Sequence, residues 1–199
     1  MTVLTAIRET DRSVSKRLAA STPPALHRTL SAVEEAAEGT KLWCGAAVVM
    51  ALTGGWRGRK AAAAGLTAVV AAQLMANGVC KQLADRPRPP EQWFPHDETE
   101  DRPDSSSFPS GHTAAATAFT AAVALTWPAA GALCAVPAAL VAVERVQSGA
   151  HYPSDVAAGA VVGLAGAWLT RRAPRLIAGR RLKRPLREAV RVVHPSGRG

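Results

Sequence analysis

Three short polar stretches carry side chains able to do chemistry, and each sits at the edge of an alanine-rich apolar run where burial gives no reason for it. The first is Lys81-Gln-Leu-Ala-Asp-Arg-Pro-Arg88-Pro89, the second Pro109-Ser110-Gly111-His112, and the third sets Arg145, His151 and Asp155 within one short segment. Together they supply three fixed positive charges, two imidazoles, a carboxylate and a Ser-Gly turn opening a helix. Phosphoryl transfer needs the equatorial oxygens neutralised and the attacking and leaving groups held in line. These residue types could bind a phosphate and break its ester bond through a histidine.

Each stretch has a local logic. A continuous helix would hold Lys81 and Arg88 on one face about 10 Å apart. Pro87 and Pro89 instead end the helix and turn the chain, so both side chains can converge on one anion. The planar fork of arginine suits bidentate phosphate recognition. Ser110 is placed to cap the helix that follows, whose free N–H groups and dipole attract an anion. Gly111 lets the backbone approach that anion closely, and His112 in the first turn can give a proton to a departing oxygen. Pro153 suits the first turn of a further helix. Asp155 in that turn is expected to accept the Nδ1–H of His151, leaving Nε2 as the attacking atom. Taken singly, these are interfacial anchors, a capped helix and a loop histidine; the chemical reading rests on all three meeting.

The elements that must bring them together are helical. The chain is rich in Ala, Val, Leu and Gly, poor in aromatic residues, and nearly free of extended β-branched alternation, so an all-α fold is expected. Average hydropathy is near zero, but the charges are segregated. Uncharged apolar runs lie at Leu42–Trp56, Ala61–Cys80, Thr113–Val143 (broken at Pro128) and Val156–Thr170. A helix needs roughly 17–25 residues to cross the hydrocarbon layer, which Ala61–Cys80 meets and several other runs approach. A chain this small has too little polar surface to cover so many apolar helices. The reading is therefore a membrane-embedded helical bundle of about five spans, with small residues such as Gly65, Gly159 and Gly163 allowing close packing. Its core is 42–170, preceded by an N-terminal segment 1–41 and followed by a basic tail 171–199.

Within 1–41, Val3, Leu4, Ile7, Val14 and Leu18 form an amphipathic pattern, and a second, weaker one runs through Leu26, Leu30 and Val33. The two helices either lie on a membrane surface or fold back on the bundle. Five spans with a hairpin at Pro128 put 1–41, 81–112 and 144–155 on one side, with 11 Lys/Arg against 14 Asp/Glu. The other side, 57–60 and the tail, holds 13 Lys/Arg against Glu188 alone. Orientation follows Lys/Arg, so the tail is expected in the cytoplasm and the three motifs on the extracytoplasmic face of a multi-pass cell-membrane protein. The tail carries no interleaved aromatic residue and no recognition motif, so anionic membrane lipid rather than nucleic acid is its expected partner. No cleavable signal peptide is read at the N-terminus. Cys44, Cys80 and Cys134 lie in apolar runs without metal-ligand spacing and read as buried free thiols. The polar stretch 96–107 reads as a mobile loop, and Gln73 and Asn77 as a pair that joins helices.

This pattern resembles the type 2 phosphatidic acid phosphatase superfamily, whose motifs are Lys-x6-Arg-Pro, Pro-Ser-Gly-His and Ser-Arg-x5-His-x3-Asp. The chain matches Lys81, Arg88 and Pro89, then Pro109 to His112, then Arg145, His151 and Asp155; it departs at Glu144, where the family has serine. The resemblance covers roughly residues 60–170. It implies a metal-independent phosphatase without cofactor, acting on a lipid phosphate or diphosphate such as phosphatidic acid, a polyprenyl (di)phosphate or a phosphorylated polyprenyl sugar. Lys81, Arg88, Arg145, Ser110 and Gly111 would bind the phosphate. His151 would form a phosphohistidine with Asp155 orienting it, and His112 would protonate the leaving alcohol and then activate water. Glu144 is expected to point away from the pocket. A vanadium-dependent haloperoxidase and a non-catalytic phospholipid-binding protein are the alternatives.

Overall fold

The computed structural model describes residues 2–21, 23–94 and 105–172. Among them the structure is all-helical. Helix α1 is Val3–Ser21, α2 Pro24–Ala37, α3 Lys41–Thr53, α4 Gly55–Leu83, α5 Gly111–Ala124 and α6 Pro128–Gln147; α7 covers 153–172. Helices α4 and α6 are long and apolar enough to cross a membrane. Most of the basic tail and most of the stretch 96–107 lie outside the described residues.

The packing inverts the order of a water-soluble core. The buried apolar side chains are mostly alanines, among them Ala61, Ala68, Ala72, Ala114, Ala116 and Ala118. The larger apolar residues Val49, Leu52, Val70, Leu133, Val136, Val161 and Leu164 face outward. Small residues bring helix backbones together where lipid, not water, surrounds the bundle, and an apolar exterior is then the stable one. Trp43 of α3 and Phe119 of α5, with ring centroids 5.3 Å apart, pack together in the main core cluster. Helix α5 sits at the centre, against α4 and α6.

Gly159 shows how tight the approach of α7 to α5 is: a Cβ there would collide with the Ser110 carbonyl, the cap of the motif helix. Gly159→Val is therefore expected to cost about 1–3 kcal/mol by overpacking. A lowered thermal transition in detergent would register it.

Two details differ from the sequence reading, and a third decides between alternatives it leaves open. Residues 57–60, expected between two spans, are helical: Gly55, at φ 54°, makes the turn after α3, and Gly58 packs against the Met50 carbonyl, so α4 starts early. The cysteines are free but not fully buried: Cys44 is exposed, Cys80 is partly buried, and Cys134 is partly buried against the main core cluster. The N-terminal helices fold back on the bundle: α2 packs on α6 through fully buried Leu30, and α1 packs at the motif end. The docked face of α1 is Asp11, Ser15 and Ala19, while Val3 and Leu4 stand exposed.

Candidate active site

At one end of the bundle a cavity of about 170 Å³ is walled by Lys81, Arg88, Gly111, His112, Arg145 and His151, with Gln73 and Asn77 beside them. All three motifs thus reach one cup. Each arrives by a local device.

Lys81 closes α4 just below a π-helical stretch, Leu74–Cys80. In a regular α-helix each four-residue step overshoots a turn by about 40°. The wider i→i+5 turn takes up that overshoot, so Gln73, Asn77 and Lys81 stay on one face. Asn77 Nδ2 donates to Gln73 Oε1 at 2.5 Å. Expected to join helices, this pair instead forms part of the cup wall, because the π turn aims it there. Beyond Leu83 the chain is extended at Ala84 and returns Arg88 to the cup. Arg88 donates from Nη1 to the Ala150 carbonyl at 2.7 Å and from Nη2 to the Ser105 carbonyl at 3.2 Å. Lys81 Nζ donates to Ser105 Oγ at 3.2 Å. Two cations of the first motif therefore converge on one serine, a residue outside all three motifs.

Ser110 caps α5: its Oγ accepts from Thr113 N at 3.4 Å and lies 3.0 Å from Thr113 Oγ1. Its side chain is fully buried behind the cup and is not part of the cavity lining, so among the capping residues it is Gly111 and His112 that face the cavity. A Cβ on Gly111 would press on Asn77 Oδ1 at 3.2 Å, which is why the helix start can sit this close to α4.

Helix α6 ends in a turn that sets the Arg145–His151 spacing. Ser148 N donates to Glu144 O, Gly149 adopts φ 69°, and His151 N returns to Arg145 O at 2.9 Å. Glycine at that left-handed position is the usual way to stop a helix and reverse the chain. The return brings the imidazole back over the same helix end as the guanidinium. Arg145 is held by two carboxylates, Glu144 through its Nε and Glu34 of α2 through Nη2. Glu144 is buried and absent from the cavity lining; it steers the arginine from behind.

The expected hydrogen bond between Asp155 and His151 is not formed. His151 Nδ1 lies 2.6 Å from the Ser107 carbonyl instead. A carbonyl can only accept, so Nδ1 carries the proton and Nε2 has the free lone pair. Asp155 is drawn away by stronger donors: its carboxylate accepts from Tyr152 N at 2.9 Å and from Arg86 Nη1 at 2.5 Å. Its backbone carbonyl accepts from Ser110 N at 3.0 Å, tying α7 to the α5 cap. Burial, reinforced by the Arg88 guanidinium, holds the His151 pKa well below its ordinary value. The ring is therefore neutral at pH 7. Because kcat/KM follows the ionisation of the free enzyme, its acid limb is expected clearly below 6.5. Arg88→Gln, by removing a cation, should move that limb upward in a pH–rate profile.

The PAP2 superfamily model matches residues 62–177, a span that contains all three motifs. The chain belongs to the PAP2 superfamily. Two solved PAP2 structures share the fold. One is a transmembrane PAP2 type phosphatidylglycerolphosphate phosphatase from Bacillus subtilis, with TM-score 0.62 and 21% identity over 86% of this chain and 88% of that one. The other is LpxE of Aquifex aeolicus, with TM-score 0.61 and 21% identity over 80% and 93%. Among curated proteins, lipid A 1-phosphatases of Rhizobium johnstonii and Rhizobium etli are similar. They are 45% identical over 64 residues and 47% over 57 residues, or 32% and 29% of this chain. The match spans about a quarter of the length of each of these relatives.

Proposed function

We propose that this PAP2 protein is a membrane lipid phosphatase that removes phosphate from a lipid phosphomonoester or diphosphate through a phosphohistidine. The observation that carries the reading is the cup itself. Three cationic side chains and the start of α5 surround a space of about 170 Å³ with two imidazoles on its wall. In this reading Lys81, Arg88, Arg145 and the Gly111 N–H hold the phosphoryl oxygens, where fixed donors in a site poor in water stabilise developing charge most strongly. His151 Nε2 attacks phosphorus, its ring fixed by the Ser107 carbonyl. His112 protonates the leaving alcohol and then takes a proton from the water that releases phosphate. Asp155 acts through Arg86 and the backbone of Ser110 and Tyr152, not through the His151 ring.

The cup lies at the end of the apolar bundle, so a lipid tail could stay in the bilayer while its phosphate enters. Placing that end on the extracytoplasmic side is part of the proposal and follows the Lys/Arg asymmetry. The kinship with lipid A 1-phosphatases and the fold of a phosphatidylglycerolphosphate phosphatase both favour a lipid substrate over a soluble one. The test is phosphate release by the purified chain in detergent from phosphatidic acid, phosphatidylglycerolphosphate, lipid A and polyprenyl diphosphate. Release from at least one lipid, and little from a soluble monoester of matched phosphate, supports the reading. Equal release from the soluble ester would overturn the lipid assignment.

A further inference from the structure

Helix α1 is exposed along most of its length, yet it buries one carboxylate almost completely: Asp11 is 2% exposed. Nothing in the PAP2 motifs involves this helix. Asp11 Oδ2 accepts from Arg86 Nη2 at 2.7 Å and from Ser154 Oγ at 2.6 Å, and its Oδ1 accepts from Ser154 N at 2.9 Å. The second bond from Arg86 goes to Asp155, and the same Nη1 also donates to Ser154 Oγ at 2.7 Å. Arg86 thus bridges a carboxylate of α1 and one of α7, with its guanidinium 4.3 Å from the Tyr152 ring centroid. Burial works against its charge, but these two carboxylates more than offset that and hold its pKa above the ordinary value.

The main chain of Arg86 carries the arrangement onward. Its carbonyl accepts from Ser107 N at 2.9 Å, and the Ser107 carbonyl is the partner of His151 Nδ1. A second line runs through Ser154 and Asp155 to Ser110 N and the start of α5. The first line ends on the cup residue His151 and the second on the cap residue just before Gly111; both begin at Asp11. The helix is pinned there by a further contact: Arg12 and Lys16 lie 5.6 and 4.9 Å from the centre of the Trp93 ring, in the turn that follows the first motif.

We propose that Asp11 is a positioning residue for the reaction: through Arg86 and Ser154 it fixes the loop that presents His151. This rests on the lipid-phosphatase reading of the cup. The carboxylate touches no cup-lining atom, so it contributes geometry and not charge to the phosphate. A misplacement of about 1 Å at a reacting group can cost on the order of 100-fold in rate.

The experiment compares wild type, Asp11→Asn, Arg86→Gln, the double variant and Glu9→Gln, an exposed control on the same helix. Kinetics use whichever lipid phosphate the wild type hydrolyses, and hydrogen exchange is followed for the segments 105–110 and 148–155. Asp11→Asn should lower kcat by about 10–100-fold with KM little changed, and should speed exchange in both segments. The double variant should be no worse than Arg86→Gln alone, because the two residues act as one unit. Glu9→Gln should match wild type in both readouts. Wild-type kcat in Asp11→Asn, or losses that multiply in the double variant, would overturn the proposal. If the wild type hydrolyses no lipid phosphate, the functional reading falls, and exchange still decides the structural claim. Unchanged exchange in Asp11→Asn would show that the helix holds nothing.

Discussion

His151→Ala is expected to lower phosphate release by about 10⁴-fold or more while leaving the protein folded and able to bind its substrate. The residue is 3% exposed, and among the described residues the polar partner of its ring is the Ser107 carbonyl, which holds Nδ1–H. That leaves Nε2 unprotonated on the cup side, the state a nucleophile needs. A neutral imidazole is also what burial and the facing guanidinium of Arg88 favour. Truncation removes the attacking atom but not the three cations that bind phosphate, so binding should survive. The check is a turnover assay beside a rapid quench with labelled substrate. The wild type should carry label that is lost in acid and kept in base, as a phosphohistidine is, and the variant none. Retained turnover in the alanine variant would remove His151 from the proposed mechanism.

The spacing of the motifs made much of this site legible before any coordinates. Helix caps and stops are local chemistry: Ser110 before Gly111-His112, Gly149 after α6 and Pro153 at the start of α7 each announce their conformation in the chain itself. The residues that carry the phosphate chemistry sit beside those signals, so finding one finds the other. Contacts formed across the fold were harder. Nearness in sequence points Asp155 at His151, but Arg86 and the Tyr152 amide compete for the same carboxylate and win. Ser107 entered through a backbone carbonyl, which has no sequence signature at all.

Three residues whose place in the site the motifs do not mark, Gln73, Asn77 and Asp11, do leave a trace. Gln73, Asn77 and Lys81 repeat at intervals of four, a polar row that runs into the first motif; its alignment on one face depended on the π stretch, which the sequence does not announce. Asp11 falls between Ile7 and Val14 within the apolar row read for α1. A charge inside such a row marks a face turned toward a partner and not toward lipid. The docked side indeed runs through Asp11, Ser15 and Ala19. The apolar run lengths correctly implied helices packed through alanine and glycine, because a segment lacking charge over a dozen residues has few other stable arrangements. Where α4 began was less legible, since a helix can extend through Arg57-Gly-Arg59-Lys60 once Gly54 and Gly55 make the turn.

Arg145→Gln is the second large effect, and it should appear in stability as well as in rate. In the proposed mechanism Arg145 neutralises a phosphoryl oxygen, and losing one such donor costs about 10²–10³ in kcat. Its guanidinium also pairs with Glu144 and Glu34. Glu144 is 1% exposed, so removing its partner leaves a buried carboxylate uncompensated, which costs about 3–5 kcal/mol. The double variant Arg145→Gln/Glu144→Gln separates the two roles. It should recover most of the thermal stability lost in the single variant and none of the turnover, because the amide pair relieves the buried charge without restoring a cation to the cup. If the double variant melts as low as the single one, Glu144 is not held by Arg145 in the way the geometry implies. If turnover returns, the phosphate does not depend on this guanidinium. Recovered stability without turnover would make Glu144, the one departure from the family motif, a local counter-charge that keeps a buried arginine aimed at the cup, a task a serine cannot perform by charge.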